Sequence, residues 1–341
     1  MEKILVTGGT GYIGAHTVVE LHRQGYEVLI VDNLSNSNIK ILDQLQLITG
    51  KRFDFVQIDL QDLDAVRRLA SENENITGII HFAASKAVGE SVQEPMKYYR
   101  NNLVSLLNLL TVFNNEISLV FSSSCTVYGQ PDNLPVTEND PVKQAESPYG
   151  NTKQIAEEIL RDTAQANANL NVVCLRYFNP VGAIDSALIG ELPLGVPANL
   201  VPYITQSAIG KRGPIVVHGN DYDTPDGSAV RDYIHVVDLA RAHVSAIKRL
   251  KKKAAEERYE IFNIGTGKGY SVLEVIAAFE KATQQKLNYQ IGPRRAGDIA
   301  KIYGDVTKAE LVLEWKAQLG IEEMMASAWK WEKYVNANPF E

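Results

Sequence analysis

An α/β fold is predicted, a doubly wound parallel sheet followed by a smaller α/β region, and three features of the sequence predict it. Short apolar runs rich in β-branched residues alternate with longer helix-like stretches through the first half of the chain. Those runs are continuously apolar, as in parallel strands covered on both faces. After Asn179-Pro180 the texture changes: Gly190, Pro193, Gly195, Pro197, Pro202, Gly213 and Pro214 accumulate, and the regular alternation is lost.

Taken in order, strands are expected over 4–6, 27–31, 53–58, 78–82, 119–122 and 172–176. Helices are expected over 13–24, 63–72, 95–114 and 148–167. The division that follows is a nucleotide-binding region over 1–180, with a returning segment near 230–262, and a smaller substrate-binding region over 181–341. The cationic run Lys248, Arg249, Lys251, Lys252 and Lys253 reads as a solvated helix end that complements the helix dipole.

Composition narrows the function classes. The chain has 341 residues, 45% hydrophobic and 22% charged, which excludes a disordered tail, a small disulfide scaffold and a coiled-coil rod. Thirty-four basic against 41 acidic residues give a net charge of −7, so no nucleic-acid partner is expected, although a few local arginines can still hold an anionic ligand. Cys125 and Cys174 form no CxxC pair, and the six histidines are scattered; no metal is expected, and a reducing compartment fits. Met1-Glu2-Lys3 runs straight into the first strand, and the apolar stretch 103–113 is broken by Ser105, Asn108 and Thr111. Neither a signal peptide nor a membrane span is expected, and the location expected is cytoplasmic.

The first strand ends in Gly8-Gly9-Thr10-Gly11-Tyr12-Ile13-Gly14 and a helix follows. Gly8, Gly11 and Gly14 permit a tight turn, close approach to a pyrophosphate and close helix–strand packing, with Tyr12 and Ile13 opening the helix over the phosphates. A glycine-rich turn alone is weak, since turns need glycine anyway. Asp32, at the end of the next strand and 18 residues beyond Gly14, strengthens it: a carboxylate there bonds ribose hydroxyls and repels a 2′-phosphate, favouring NAD over NADP. The reading is a Rossmann-type fold. The Gly-x-x-Gly-x-x-Gly spacing leans toward the extended short-chain dehydrogenase/reductases.

Tyr149 and Lys153 lie one helical turn apart, after a Ser147-Pro148 helix start. A phenol is a poor base near neutrality, but an ammonium and a bound nicotinamide cation favour the phenolate. One Tyr-x-x-x-Lys is expected by chance in such a chain, so position decides: this one follows the fifth strand-like run. Phe121-Ser122-Ser123-Ser124 ends that strand at the edge where parallel sheets present ligand contacts, and Ser124 there can bond a substrate oxygen and pass on its proton.

These residues stand in a wider set. Thr7 to Gly14, Lys86-Ala87-Val88-Gly89-Glu90-Ser91, Ser122-Ser123-Ser124, Ser147-Pro148-Tyr149-Gly150, Arg176-Tyr177-Phe178-Asn179-Pro180-Val181-Gly182-Ala183 and Val230-Arg231-Asp232-Tyr233-Ile234-His235 resemble the UDP-glucose 4-epimerases over nearly the whole chain. The resemblance implies NAD held through Asp32, Asn33, Asn36 and Ser37 after the second strand, Asp59 and Leu60 after the third, and Phe82, Ala83 and Lys86 after the fourth. Asn101, Ser122, Ser124, Tyr149, Lys153, Tyr177 and Phe178 complete that set. It also implies UDP-glucose and UDP-galactose contacts from Lys86, Ser124, Tyr149, Asn179, Asn199, Leu200, His218, Arg231, Tyr233, Arg295, Asp298 and Ile302, and a homodimer formed through 95–114 and 148–167. Two departures are visible: Cys125 where alanine is common, and His218 where an aromatic often flanks uracil.

The implied chemistry is an oxidation that reverses itself. Tyr149 takes the proton of the sugar 4-hydroxyl as C4 gives up hydride, the flat ketone turns over, and the hydride returns to its other face. Arg231 and Arg295 are expected to clamp the phosphates while the hexose stays loose. Two rival readings compete with it. A sugar-nucleotide dehydratase needs an acid–base pair, which Ser124-Cys125-Thr126 does not offer. A non-catalytic NAD sensor is opposed by the presence of both Tyr149 and Lys153.

Overall fold

The computed structural model describes residues 2–255, 257–294 and 299–340. Its strands are β1 Lys3–Thr7, β2 Glu27–Asp32, β3 Asp54–Gln57, β4 Ile76–His81, β5 Ile117–Ser124, β6 Leu170–Tyr177, β7 Asn179–Val181, β8 Ile215–His218, β9 Val230–His235, β10 Tyr259–Ile264, β11 Gly269–Ser271, β12 Tyr289–Gly292 and β13 Lys301–Ile302. Between them run α1 Tyr12–Arg23, α2 Ile41–Thr49, α3 Leu63–Glu72, α4 Val88–Gln93, α5 Pro95–Tyr99, α6 Ser105–Val112, α7 Pro148–Ala166, α8 Leu200–Ala208, α9 Val236–Lys251, α10 Val272–Thr283, α11 Thr307–Val312 and α12 Ile321–Ala337.

Seven strands form one sheet in the order β10-β6-β5-β4-β1-β2-β3, and every pairing is parallel. Side-chain alternation sends Ile4 and Val6 into one apolar layer and Leu5 into the other. On the first face α1 and α9 cover the sheet with Val18, Val19, Leu239 and Ile247. On the second, α3, α6 and α7 contribute Val66, Leu106, Ala156 and Leu160. The strand order reverses between β1 and β4, so a crevice opens at their carboxyl ends, where such sheets bind ligands.

The seventh strand, β10, comes from beyond residue 180, as does α9. The cationic run at the end of α9 is less solvated than the charge pattern predicts. Arg249 is 12% exposed at its side chain and grips the Glu260 carboxylate of β10 through two nitrogens at 2.8 Å, a planar match that tethers the helix to the edge strand. The rest of the chain builds a three-strand path β11-β9-β13 with β7 beside β9, and a pair β12-β8. A separate apolar cluster underlies it, built from Val201, Ile204, Val217, Phe279, Met324 and Trp329.

One expectation needs correcting. The helix expected over 95–114 is broken: a π turn, Arg100–Val104, separates α5 from α6, and α6 ends at Val112. The cause is the polar pair inside it. Asn102 accepts from Ser85 N–H at 2.8 Å and donates to Ser85 O and Thr152 Oγ1, bonds that a regular turn would aim elsewhere.

Candidate active site

The glycine-rich turn has the shape of a phosphate cradle. Gly8 has φ +70°, and a Cβ there would meet Ala83 N at 2.8 Å; a Cβ on Gly14 would lie 2.2 Å from Gly8 O. Only glycine lets the chain pass this close. Gly11 caps α1 without a side-chain acceptor, so the first helical N–H groups point outward as an anion site. Tyr12 and Ile13 open the helix, and the Tyr12 hydroxyl donates to Gly182 O at 2.6 Å.

Asp32 closes β2 and organises the loop around it. Its carboxylate accepts from Thr10 N–H, Leu34 N–H and the Ser37 hydroxyl. Asn33 donates to Asp59 at 3.3 Å, Leu60 is buried, and Asn36 is exposed. Across the crevice, Phe82 and Ala83 follow β4, with Ala83 N–H bonding Thr7 Oγ1. Asn101, in the π turn, donates to Ser85 Oγ at 3.2 Å.

The catalytic candidates converge at the end of β5. Ser147 caps α7 by accepting from Gly150 N–H at 3.1 Å, and Pro148 takes the first helical position; this fixes the turn carrying Tyr149. Lys153 is buried, its ammonium donating to Ser122 O at 2.7 Å and lying 5.8 Å from the Tyr149 ring centre. Burial pulls Lys153 down to about 8, with the charges of Cys174 and Glu157 opposing. Desolvation pushes the Tyr149 phenol far above its ordinary value and Tyr177 adds to this, while the nearby Ser124 hydroxyl works the other way. Ser122 Oγ bonds the Tyr177 hydroxyl. Ser124 caps the 3₁₀ turn Cys125–Tyr128.

The candidate substrate residues come from the other half of the chain. Asn179 of β7 pairs with Tyr233 of β9. Arg231 of β9 lies between Tyr270 and Ile302, its guanidinium donating to Val230 O at 2.9 Å. Ile302 is 3% exposed and packs in one cluster with Cys125 and Phe178. Asn199 precedes Leu200 at the start of α8, and His218 ends β8 beside Pro293 O. Arg295 and Asp298 lie outside the described residues.

Two residues that the sequence did not single out belong here. One oxygen of Glu191 holds both Lys86 (3.2 Å) and Asn199 (2.7 Å), and Glu157 stands one turn beyond Lys153 on α7. The four-residue spacing of Glu157 was the available signal; Glu191 gave none. Among the described residues no group of three or more histidines, cysteines or carboxylates is arranged to hold a metal, and no helix is long and apolar enough to cross a membrane.

The family model described as GDP-mannose 4,6 dehydratase matches residues 5–328. A curated UDP-glucose 4-epimerase from Haemophilus influenzae is 50% identical over 332 residues, 97% of each chain. One from Bacillus subtilis is 50% identical over 340 residues, 99% of this chain and 98% of that protein. The crystal structure of UDP-glucose 4-epimerase from Bifidobacterium longum in complex with NAD+ and UDP superposes with a TM-score of 0.93 at 49% identity, covering 99% of both chains.

Proposed function

The chain belongs to the UDP-glucose 4-epimerases, and from that membership we propose how its own residues divide the work. The activity is the interconversion of UDP-galactose and UDP-glucose, with NAD as cofactor. The observation that carries the assignment is the convergence of Tyr149, Lys153 and Ser124 at the end of β5, beside a cradle that a single Cβ would fill.

In this reading residues 1–180, with the returning 230–262, hold NAD, and 181–341 hold the UDP-sugar. The turn from Gly8 to Gly14 takes the pyrophosphate and Asp32 the adenosine ribose. Asn33, Asn36, Ser37, Asp59, Leu60, Phe82, Ala83 and Asn101 shape the adenine side; Lys86, Ser122, Tyr177 and Phe178 shape the nicotinamide side. NAD, when bound, supplies the hydride acceptor and a positive ring beside the phenol. Tyr149 removes the proton from the sugar 4-hydroxyl and later returns it, Ser124 hands that proton across, and the Lys153 ammonium favours the phenolate. Arg231 and Arg295 hold the diphosphate. Asn179, Asn199, Leu200, His218, Tyr233, Asp298 and Ile302 border uracil and hexose, leaving the ketone free to turn.

The description of the matching family model raises dehydration as a second reading. Against it, Ser124-Cys125-Thr126 brings no carboxylate to the sugar, and burial pushes the Cys125 thiol up to about 12, useless as an acid–base partner near neutrality. Incubating the purified protein with UDP-galactose, without added NAD, tests both readings. UDP-glucose is the expected product; a nucleotide sugar lighter by one water would overturn the assignment. We also propose a cytoplasmic homodimer that binds no nucleic acid. Met96, 75% exposed, and Leu107, 44% exposed, offer apolar surface on α5 and α6. Sedimentation at a single-chain mass would overturn the dimer.

A further inference from the structure

Three consecutive serines end β5, and the fold uses each one differently. The carbonyl of Ser122 holds Lys153, and the hydroxyl of Ser124 accepts from Thr126 N–H at 3.2 Å, capping the turn that follows. Ser123 turns to Glu157, donating to its carboxylate at 2.5 Å. Tyr149, Lys153 and Glu157 follow one another at four-residue steps, so they share one face of α7, and Lys153 and Glu157 reach the adjacent Ser122 and Ser123 at the strand end. Glu157 is locked from a second side. Arg176 of β6, the register partner of Ser123, grips both carboxylate oxygens through Nε at 3.0 and 3.2 Å and through a second nitrogen at 2.5 Å. Glu157 and Arg176 are 5% and 3% exposed, and Arg176 lies over the Tyr128 ring at 4.8 Å.

We propose that Glu157 is a positioning residue of the reaction: locked by Arg176 and Ser123, its carboxylate fixes the end of β5 against α7 and so holds the Ser122 carbonyl on the Lys153 ammonium. The inference rests on the roles given above to Tyr149, Lys153 and Ser124. Burial drives Lys153 toward its neutral form, and Cys174 and then Glu157 oppose that. The other groups facing the pair are Tyr149 on α7, His81 on β4, Cys174, Arg176 and Tyr177 on β6, Tyr128 after β5 and Tyr259 on β10. Of these only Arg176 is a cation, and it is spent on Glu157 itself. A buried ion pair is by itself weak support for stability; a carboxylate placed to act on the next turn of its own helix has a further use.

The sign of the effect is fixed. Removing the negative charge makes Lys153 easier to deprotonate, so the alkaline limb of turnover moves to lower pH. The test measures kcat against pH for the holoenzyme with UDP-galactose. In Glu157→Gln the alkaline limb is expected about one unit lower, so turnover between the old and new limbs falls by up to about tenfold. Glu157→Asp keeps the charge and is expected to restore the limb. A Glu157→Gln profile that is merely scaled down, with its limb in place, overturns the proposal by leaving a structural ion pair. If that variant fails to accumulate, Ser123→Ala carries the test, since it cuts only the tether to β5. Lower kcat with unchanged NAD content is expected, and full kcat overturns the proposal. Tyr149→Phe run alongside separates the two readings: an active Tyr149→Phe removes the premise, whereas an inactive one beside an unmoved Glu157→Gln limb removes Glu157 alone.

Discussion

Tyr149 has its ring placed by the Ser147 cap and its phenol facing a buried ammonium, so deleting the oxygen should remove chemistry and little else. Tyr149→Phe is expected to lower kcat roughly 10²–10⁴-fold while NAD stays bound; near-normal turnover would move the base elsewhere. We propose that Ile302 is the residue where size enters. It was expected to border the hexose, and it packs with Cys125 and Phe178 at 3% exposure, with β-branching that leaves it few rotamers. An N-acetylated sugar needs room while its ketone turns. The expected preference for UDP-galactose over UDP-N-acetylgalactosamine is about 10–200-fold in kcat/KM, corresponding to ~1–3 kcal/mol. Ile302→Ala should narrow that gap, and equal efficiency on both sugars in the wild type would discard the gate. Because the side chain is buried in the core, the same variant should also lose about 2–5 kcal/mol of stability.

At the level of elements, α7 shows what one cap does. Ser147→Ala removes the acceptor of Gly150 N–H, and a loss of about 0.5–2 kcal/mol is expected in urea unfolding. An unchanged midpoint would mean that Pro148 alone fixes the start. The elements legible in the sequence were those whose signal is local. Six continuous apolar strands declared themselves, as did α1, α3 and α7. The helices α2 and α4 did not, and neither did the strands beyond residue 180, where β11 and β13 have three and two residues, too few to show a period. The π turn between α5 and α6 was equally hidden, since its cause is a set of bonds from Asn102 to residues distant in sequence. The site divides the same way. Tyr149 and Lys153 were legible from their place after the fifth strand, whereas Glu191 is tied to Lys86 and Asn199, which only the tertiary fold brings to it.

Taken as a whole, the molecule is built to be acid-sensitive. Burial lowers His16 and His81 to about 3, and His235 and His243 to about 4, from 6.5. A histidine depressed in the fold takes up protons more readily when unfolded, so its stabilisation is complete above pH 6.5 and drains away as pH falls. Each is worth at most a few kcal/mol in order of magnitude. Asp232 acts in the other direction, since burial raises its carboxyl to about 6 and the fold gains as pH drops through that value. Four groups against one predict a urea midpoint that falls between pH 7 and 5. His243 isolates the effect, because its Nε2 has no hydrogen-bond partner among the described residues. His243→Leu should cost little at pH 7 and flatten the acid side; an unchanged slope would assign the sensitivity to other groups.

The edge strand β10 has a consequence for how the chain is made. It pairs with β6 along six residues, from Tyr259 opposite Val172 to Ile264 opposite Tyr177, yet it leaves the ribosome long after β6 does. At ordinary elongation rates the nascent sheet therefore shows a bare, strongly apolar edge for on the order of ten seconds. During that interval another nascent chain or a chaperone is as good a partner as the strand still to come. Translation halted at residue 180 should yield aggregate, and slowing the ribosome over 181–264 should lower the soluble yield without altering the finished enzyme.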